Sequence, residues 1–140
     1  MAKSRALRGL VLAMGYACVA IGLVHVLLGN TAIPGGSSAG PTVDSLGRFF
    51  GAIFTGYGVA WLLVARQSPI SPVMVRWLAG VFLLGALGRL LSLAELGRPH
   101  SFQLVLGGIE LVLSPLLFWL ADAEQKALPQ HAEPRRPAGL

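Results

Sequence analysis

The stretch RLLSLAELGRPHSFQLVLGGIE, residues 89–110, joins two strongly apolar segments, with an arginine inside the first and a glutamate inside the second. Ionisable groups are costly at membrane depth, so they pair there or mark a site. The LGRPH connection at 96–100 is short enough to make the two segments a helical hairpin. Counted back from its turn, Arg89 and Glu110 differ in depth by about one helical turn, within reach of an arginine side chain.

Outward from that hairpin the chain keeps the same character. Hydrophobic residues make up 54 %, charged residues 12 %, and the mean hydropathy is +0.69. A soluble domain carries about 25 % charged residues. The run LVLAMGYACVAIGLVHVLL at 10–28 is near the ~20 residues that cross a bilayer. A basic start before it resembles a signal peptide, but three further runs follow, which favours an uncleaved first span. The fold expected is an all-α, four-helix transmembrane bundle with spans of about 10–28, 45–65, 72–95 and 101–121.

Local chemistry sets the connections. GNTAIPGGSSAGPTV, residues 29–43, reads as a flexible loop. Asp44 or Ser45 is the expected N-cap of the second helix, and Ser71 with Pro72 reads as N-cap and N1 of the third. Pro115 should bend the fourth helix, because its ring removes a backbone donor. Residues 1–9 read as a basic cytoplasmic tail, 10–121 as the transmembrane domain and 122–140 as a disordered cytoplasmic tail.

The net charge of +5 fits topology better than nucleic acid, since the basic residues do not interleave with aromatics. With both termini in the cytoplasm, the inner segments hold Lys3, Arg5, Arg8, Arg66, Arg76, Lys126, Arg135 and Arg136. The outer half keeps Arg48, Arg89 and Arg98. That asymmetry satisfies the positive-inside rule. Trp61, Trp77 and Trp119 all fall near cytoplasmic helix ends, where an interfacial belt would place them.

At a period of 3.6 residues each helix shows one small and polar face. The fourth carries His100, Gln103, Gly107, Glu110 and Ser114; the third Gly85, Arg89, Ser92 and Glu95. The second carries Arg48, Gly51, Thr55 and Gly58; the first Cys18, Gly22, His25 and Gly29. Gly47 and Gly51 form a G-x-x-x-G. Small residues let backbones approach, and polar ones seek partners across the bundle. The expected polar site therefore comprises His25, Arg48, Arg89, Ser92, His100, Gln103 and Glu110 in the extracytoplasmic half. Arg89 and Glu110 are its ion pair, structural or also ligand-binding.

The residues exclude several chemistries. There is no nucleophile elbow, no phosphate loop after a strand and no H-E-x-x-H. No two of His25, His100, Glu95 and Glu110 stand at ligand-pair spacing on one helix, so no metal or other cofactor is expected. The lone Cys18 reads as an apolar filler. Glu110 remains a candidate acid/base, since a carboxylate in a low-dielectric bundle suits proton transfer. Arg98 and His100, at the start of the fourth helix, could take a phosphate headgroup or form an ordinary polar turn.

Three passages carry a family resemblance: GLVHVLLG, RFFGAIFTGYGVAWL and GRLLSLAELGRPHSFQLVLGGIELV. Over roughly residues 8–121 the chain resembles the small bacterial four-helix membrane proteins grouped as domain of unknown function 4345. The resemblance implies four spans and a bacterial inner-membrane location, and brings no activity with it. The leading functional expectation is an integral membrane protein that binds a lipid or small amphiphile, or a partner membrane subunit. The alternative is a small membrane enzyme of isomerase or proton-transfer type on a lipid-like substrate, with Glu110 as acid/base. A transporter is disfavoured because the polar stripe stops before the cytoplasmic side.

Overall fold

The computed structural model describes residues 2–34 and 39–128 of the 140-residue chain. It contains α1 (Ala2–Leu28), α2 (Pro41–Ala65), α3 (Pro72–Leu96) and α4 (Ser101–Ala127), with a turn of 3-10 helix at Gly29–Ala32 after α1. Among the described residues there is no strand, and all four helices are long and apolar enough to cross a membrane. The protein is an all-α, four-helix transmembrane bundle built from two hairpins, α1–α2 and α3–α4.

Two helices run past their expected ends, each for a visible reason. In α1, the segment expected as a basic tail is helical from Ala2, and its side chains have partners. Arg8 donates to the carbonyls of Ala65 at 2.6 Å and Gln67 at 2.9 Å, which satisfies free acceptors at the end of α2. Past Ala121, α4 continues through DAEQKA. There Asp122 accepts from Arg76 at 2.7 Å, Glu124 accepts from the Ser4 hydroxyl, and Lys126 in the last turn suits the helix dipole. The rest of the tail expected to be disordered, 129–140, lies outside the described residues, as does 35–38 of the first loop.

The start of α2 differs from expectation. Its N-cap is Gly40 and Pro41 takes N1, so neither Asp44 nor Ser45 caps it. Proline's fixed φ suits the first helical position and starts the helix earlier. Ser71 does cap α3, its hydroxyl accepting from the Met74 N–H at 3.4 Å, with Pro72 at N1. Gly97, at φ +83°, ends α3, and Pro99 follows. The helix α4 is uninterrupted through Pro115.

The α1–α2 hairpin is zipped by glycines two turns apart on each helix. Gly15 faces Gly58, and Gly22 faces Gly51. A Cβ at Gly58 would lie 2.6 Å from the Val19 nitrogen and 2.8 Å from the Gly15 carbonyl oxygen. At Gly51 it would lie 2.8 Å from the His25 Cβ. Helix backbones come this close only where side chains are absent. Gly47, the other half of the G-x-x-x-G, has no such neighbour.

The two hairpins meet at the end that carries the N-terminus and the α2–α3 turn. Leu7 and Val11 of α1, Trp61 of α2, Val75 of α3 and Leu117 of α4 are fully enclosed there. Trp61 thus corrects the sequence expectation. It has 0 % of its surface exposed and forms the centre of the core, so it cannot belong to an interfacial belt. Only Trp77 and Trp119 face outward, with the Lys3 ammonium 4.9 Å from the Trp119 ring. Toward the opposite end, the far end, few side chains are buried between hairpins. Ala86 and Glu110 are the main ones. The bundle is tight at one end and parted at the other.

A latch closes the far end of α1–α2. Asp44 accepts from the Asn30 N–H at 2.8 Å and from Arg48 Nε at 2.7 Å. Arg48 Nη1 then donates to the carbonyls of Val26 at 2.6 Å and Leu27 at 3.2 Å, capping α1. Gly29 makes this possible, with φ +55° and no Cβ against the Asp44 carboxylate. Gly29→Ala is expected to cost about 1–2 kcal/mol in thermal unfolding, through strain at positive φ and displacement of the latch. Gly40→Ala, at φ −71° and with no described residue within 4 Å of an added Cβ, should cost clearly less, only the loss of a favoured N-cap residue. Equal behaviour of the two variants would contradict the latch.

Candidate functional site

The parting of the hairpins leaves a cleft of about 970 Å³ in the far half of the bundle. Helices α1 and α2 supply one wall, with Gly22, His25, Phe50 and Phe54. Helix α3 supplies the other, with Phe82, Gly85, Gly88, Arg89 and Ser92, and Glu110 of α4 stands at the back. The lining is mainly apolar with a few convergent polar groups, the composition usual for small-molecule sites. Ile53 of α2 and Val81 of α3 line the cleft while half-exposed, so its mouth opens sideways between α2 and α3.

At the polar wall, Arg89 Nε lies 3.1 Å and 3.0 Å from the two Glu110 carboxylate oxygens. Its Nη1 donates to Gln103 Oε1 at 2.6 Å. Helical spacing explains the set: Gln103, Gly107 and Glu110 share one face of α4, and Gly107 lies beside the Arg89 stem. A Cβ there would stand 3.5 Å from Arg89 Cδ. Glu110 is 9 % exposed and lies one turn from Ser114, whose hydroxyl donates to the Glu110 carbonyl at 2.8 Å. A buried carboxylate needs such a counter-charge, and Arg89 supplies it.

His25 forms part of the α1 wall. Its Nδ1 lies 2.8 Å from the Ile21 carbonyl oxygen. A carbonyl only accepts, so Nδ1 carries the hydrogen and Nε2 of the neutral ring is an acceptor. Ser92 lines both this cleft and a second, smaller one of about 400 Å³ behind Arg89, between α3 and α4, where Gln103 also sits.

Of the seven residues that the sequence groups in one site, His25, Arg89, Ser92 and Glu110 line the main cleft, and Gln103 joins through Arg89. Arg48 and His100 do not line it. Arg48 is held in the Asp44 latch. His100 caps α4, its Nδ1 accepting from the Phe102 N–H at 3.2 Å. Sequence reasoning missed the aromatic wall of Phe50, Phe54 and Tyr57, with Phe82 opposite. The first three, with Trp61, recur at steps of four and three along α2. That periodicity was the available signal. Among the described residues no three histidine, cysteine or acidic side chains gather as a metal site.

Fold and cleft together define a four-helix integral membrane protein with a laterally open cleft and an arginine–glutamate pair whose glutamate is buried. Residues 6–121 match the family described as domain of unknown function (DUF4345), and the chain belongs to that family. No curated protein and no solved structure matches it.

Proposed function

We propose that the protein binds a lipid-derived or other small amphiphile in the cleft between its hairpins. The observation that carries this is the cleft itself: about 970 Å³, mainly apolar, open sideways, with Arg89 and Glu110 at its wall. A structural ion pair alone would need no such space, because close packing is the norm around one. The size matches the upper range of small-molecule pockets. The basic residues support an orientation with both termini in the cytoplasm, and the family resemblance supports a bacterial inner membrane; in that reading the cleft lies in the outer half of the bilayer.

Gly85 and Gly88 give a clean test. Both line the cleft, and a Cβ at either meets nothing within 4 Å. The double substitution Gly85→Leu/Gly88→Leu should fill the cleft without disturbing helix packing. In native mass spectrometry after mild detergent extraction, the wild-type protein should carry a bound amphiphile. The double variant should retain roughly ten-fold less, with no loss of folded helical structure. Equal retention by both would contradict the proposal.

A further inference from the structure

The polar wall of the cleft carries no net charge. Arg89 and Glu110 cancel at 3.0 Å, and no other arginine, lysine, aspartate or glutamate lines the cleft among the described residues. An anionic head entering there would meet the Glu110 carboxylate as well as the guanidinium, and would be desolvated without a counter-charge of its own. A neutral head avoids that cost.

The same wall still has hydrogen bonds to give. A guanidinium has five N–H donors. Among the described residues Arg89 uses Nε, toward Glu110, and one N–H of Nη1, toward Gln103. The Nη2 donors have no partner there, and Ser92, which carries a hydroxyl, lines the same cleft. The wall thus offers donors to an acceptor oxygen, while His25 Nε2 offers an acceptor to a hydroxyl.

Between mouth and polar wall stand Phe50, Phe54 and Tyr57 of α2 and Phe82 of α3. The Phe54 and Tyr57 rings are stacked, with centroids 5.9 Å apart and planes 25° apart. Aromatic faces favour a flat ring over a branched head. The cleft is open sideways between α2 and α3, so it need hold only the ring while the tail passes out between those helices.

We propose that the ligand is an uncharged, flat-headed amphiphile of quinone type, with carbonyl oxygens on a single ring and one apolar tail. A ring carbonyl accepts from Arg89 and Ser92, the ring lies along the aromatic wall, and the tail leaves between α2 and α3. This rests on the reading of the cleft as an amphiphile site and specifies its head group.

The test compares three probes of similar chain length with the purified full-length protein in detergent: decyl-benzoquinone, decanoate and monodecanoylglycerol. Binding is read from the rise in Tm as each is titrated, which reports affinity for the folded state. The quinone should bind most tightly to the wild-type protein. Ser92→Ala should weaken it about three-fold, and Arg89→Met/Glu110→Gln, which keeps the wall neutral, roughly ten-fold, as for one charge-assisted hydrogen bond. Tighter binding of decanoate than of either neutral probe overturns the neutral head and leaves the amphiphile site standing. Equal binding of monodecanoylglycerol and the quinone overturns the flat ring alone. If no probe shows binding that Gly85→Leu/Gly88→Leu removes, both proposals fall.

Discussion

Glu110→Ala is expected to destabilise the bundle by about 3 kcal/mol, the scale of an arginine left at membrane depth without its counter-charge. Glu110 is 9 % exposed, and its carboxylate takes both of its close contacts from Arg89 Nε. Removing it leaves a guanidinium whose remaining partner is the neutral Gln103 amide. Arg89→Met alone should be comparably damaging, because it strands the carboxylate instead. The double variant Arg89→Met/Glu110→Ala should recover most of the loss, since an apolar pair needs neither charge nor partner. Thermal unfolding in detergent, followed by helical circular dichroism, measures all three. Additive losses in the double variant would show that the two side chains act independently. The same series bears on the enzymatic alternative, in which Glu110 moves a proton.

Gly51→Leu is expected to cost about 3 kcal/mol or more, as overpacking against backbone cannot be relieved by turning a side chain. A Cβ at Gly51 would stand 2.9 Å from the Gly22 carbonyl oxygen and 3.1 Å from the Val26 nitrogen. Helices α1 and α2 would have to separate, and the latch of Asp44, Arg48 and Asn30 beyond them would open. Gly85→Leu is the control. It makes the same chemical change on another apolar helix, at a position with open space, and should not lower the unfolding temperature. A helix-propensity effect would favour leucine at both sites, so the contrast isolates packing. Equal stability of the two variants would contradict the glycine zipper.

The contrast between these positions explains what was legible in the sequence. Spans, hairpin turns and the Ser71–Pro72 helix start follow from hydropathy and local backbone chemistry, and neither depends on neighbours. The nearness of Arg89 and Glu110 follows from rise per residue about one tight turn. The partner chosen by a long side chain does not follow. Arg48 is at the right depth for the cleft, yet it turns to the end of α1, because Asp44 one turn earlier and two free carbonyls hold it there. Trp61 illustrates the same limit. Its position near a helix end suggests an interface, while its azimuth, shared with Phe54 and Tyr57, sends it into the core. The cleft was the least legible feature. It exists because glycines draw α1 to α2 while α2 and α3 part, and the spacing between hairpins is a property of the assembled bundle. Each helix showed its small and polar face in the sequence, but not which faces would meet and which would stand apart.

The central claim is that an amphiphile occupies this cleft, and photo-crosslinking tests it most directly. A tailed probe with a photoreactive ring, irradiated with the protein in detergent, should label peptides from residues 50–57 of α2 and 82–92 of α3. The Gly85→Leu/Gly88→Leu variant should lose that labelling. Labelling spread over the outward faces of all four helices, unchanged in the variant, would mean that the probe only coats the apolar surface and that the cleft binds nothing.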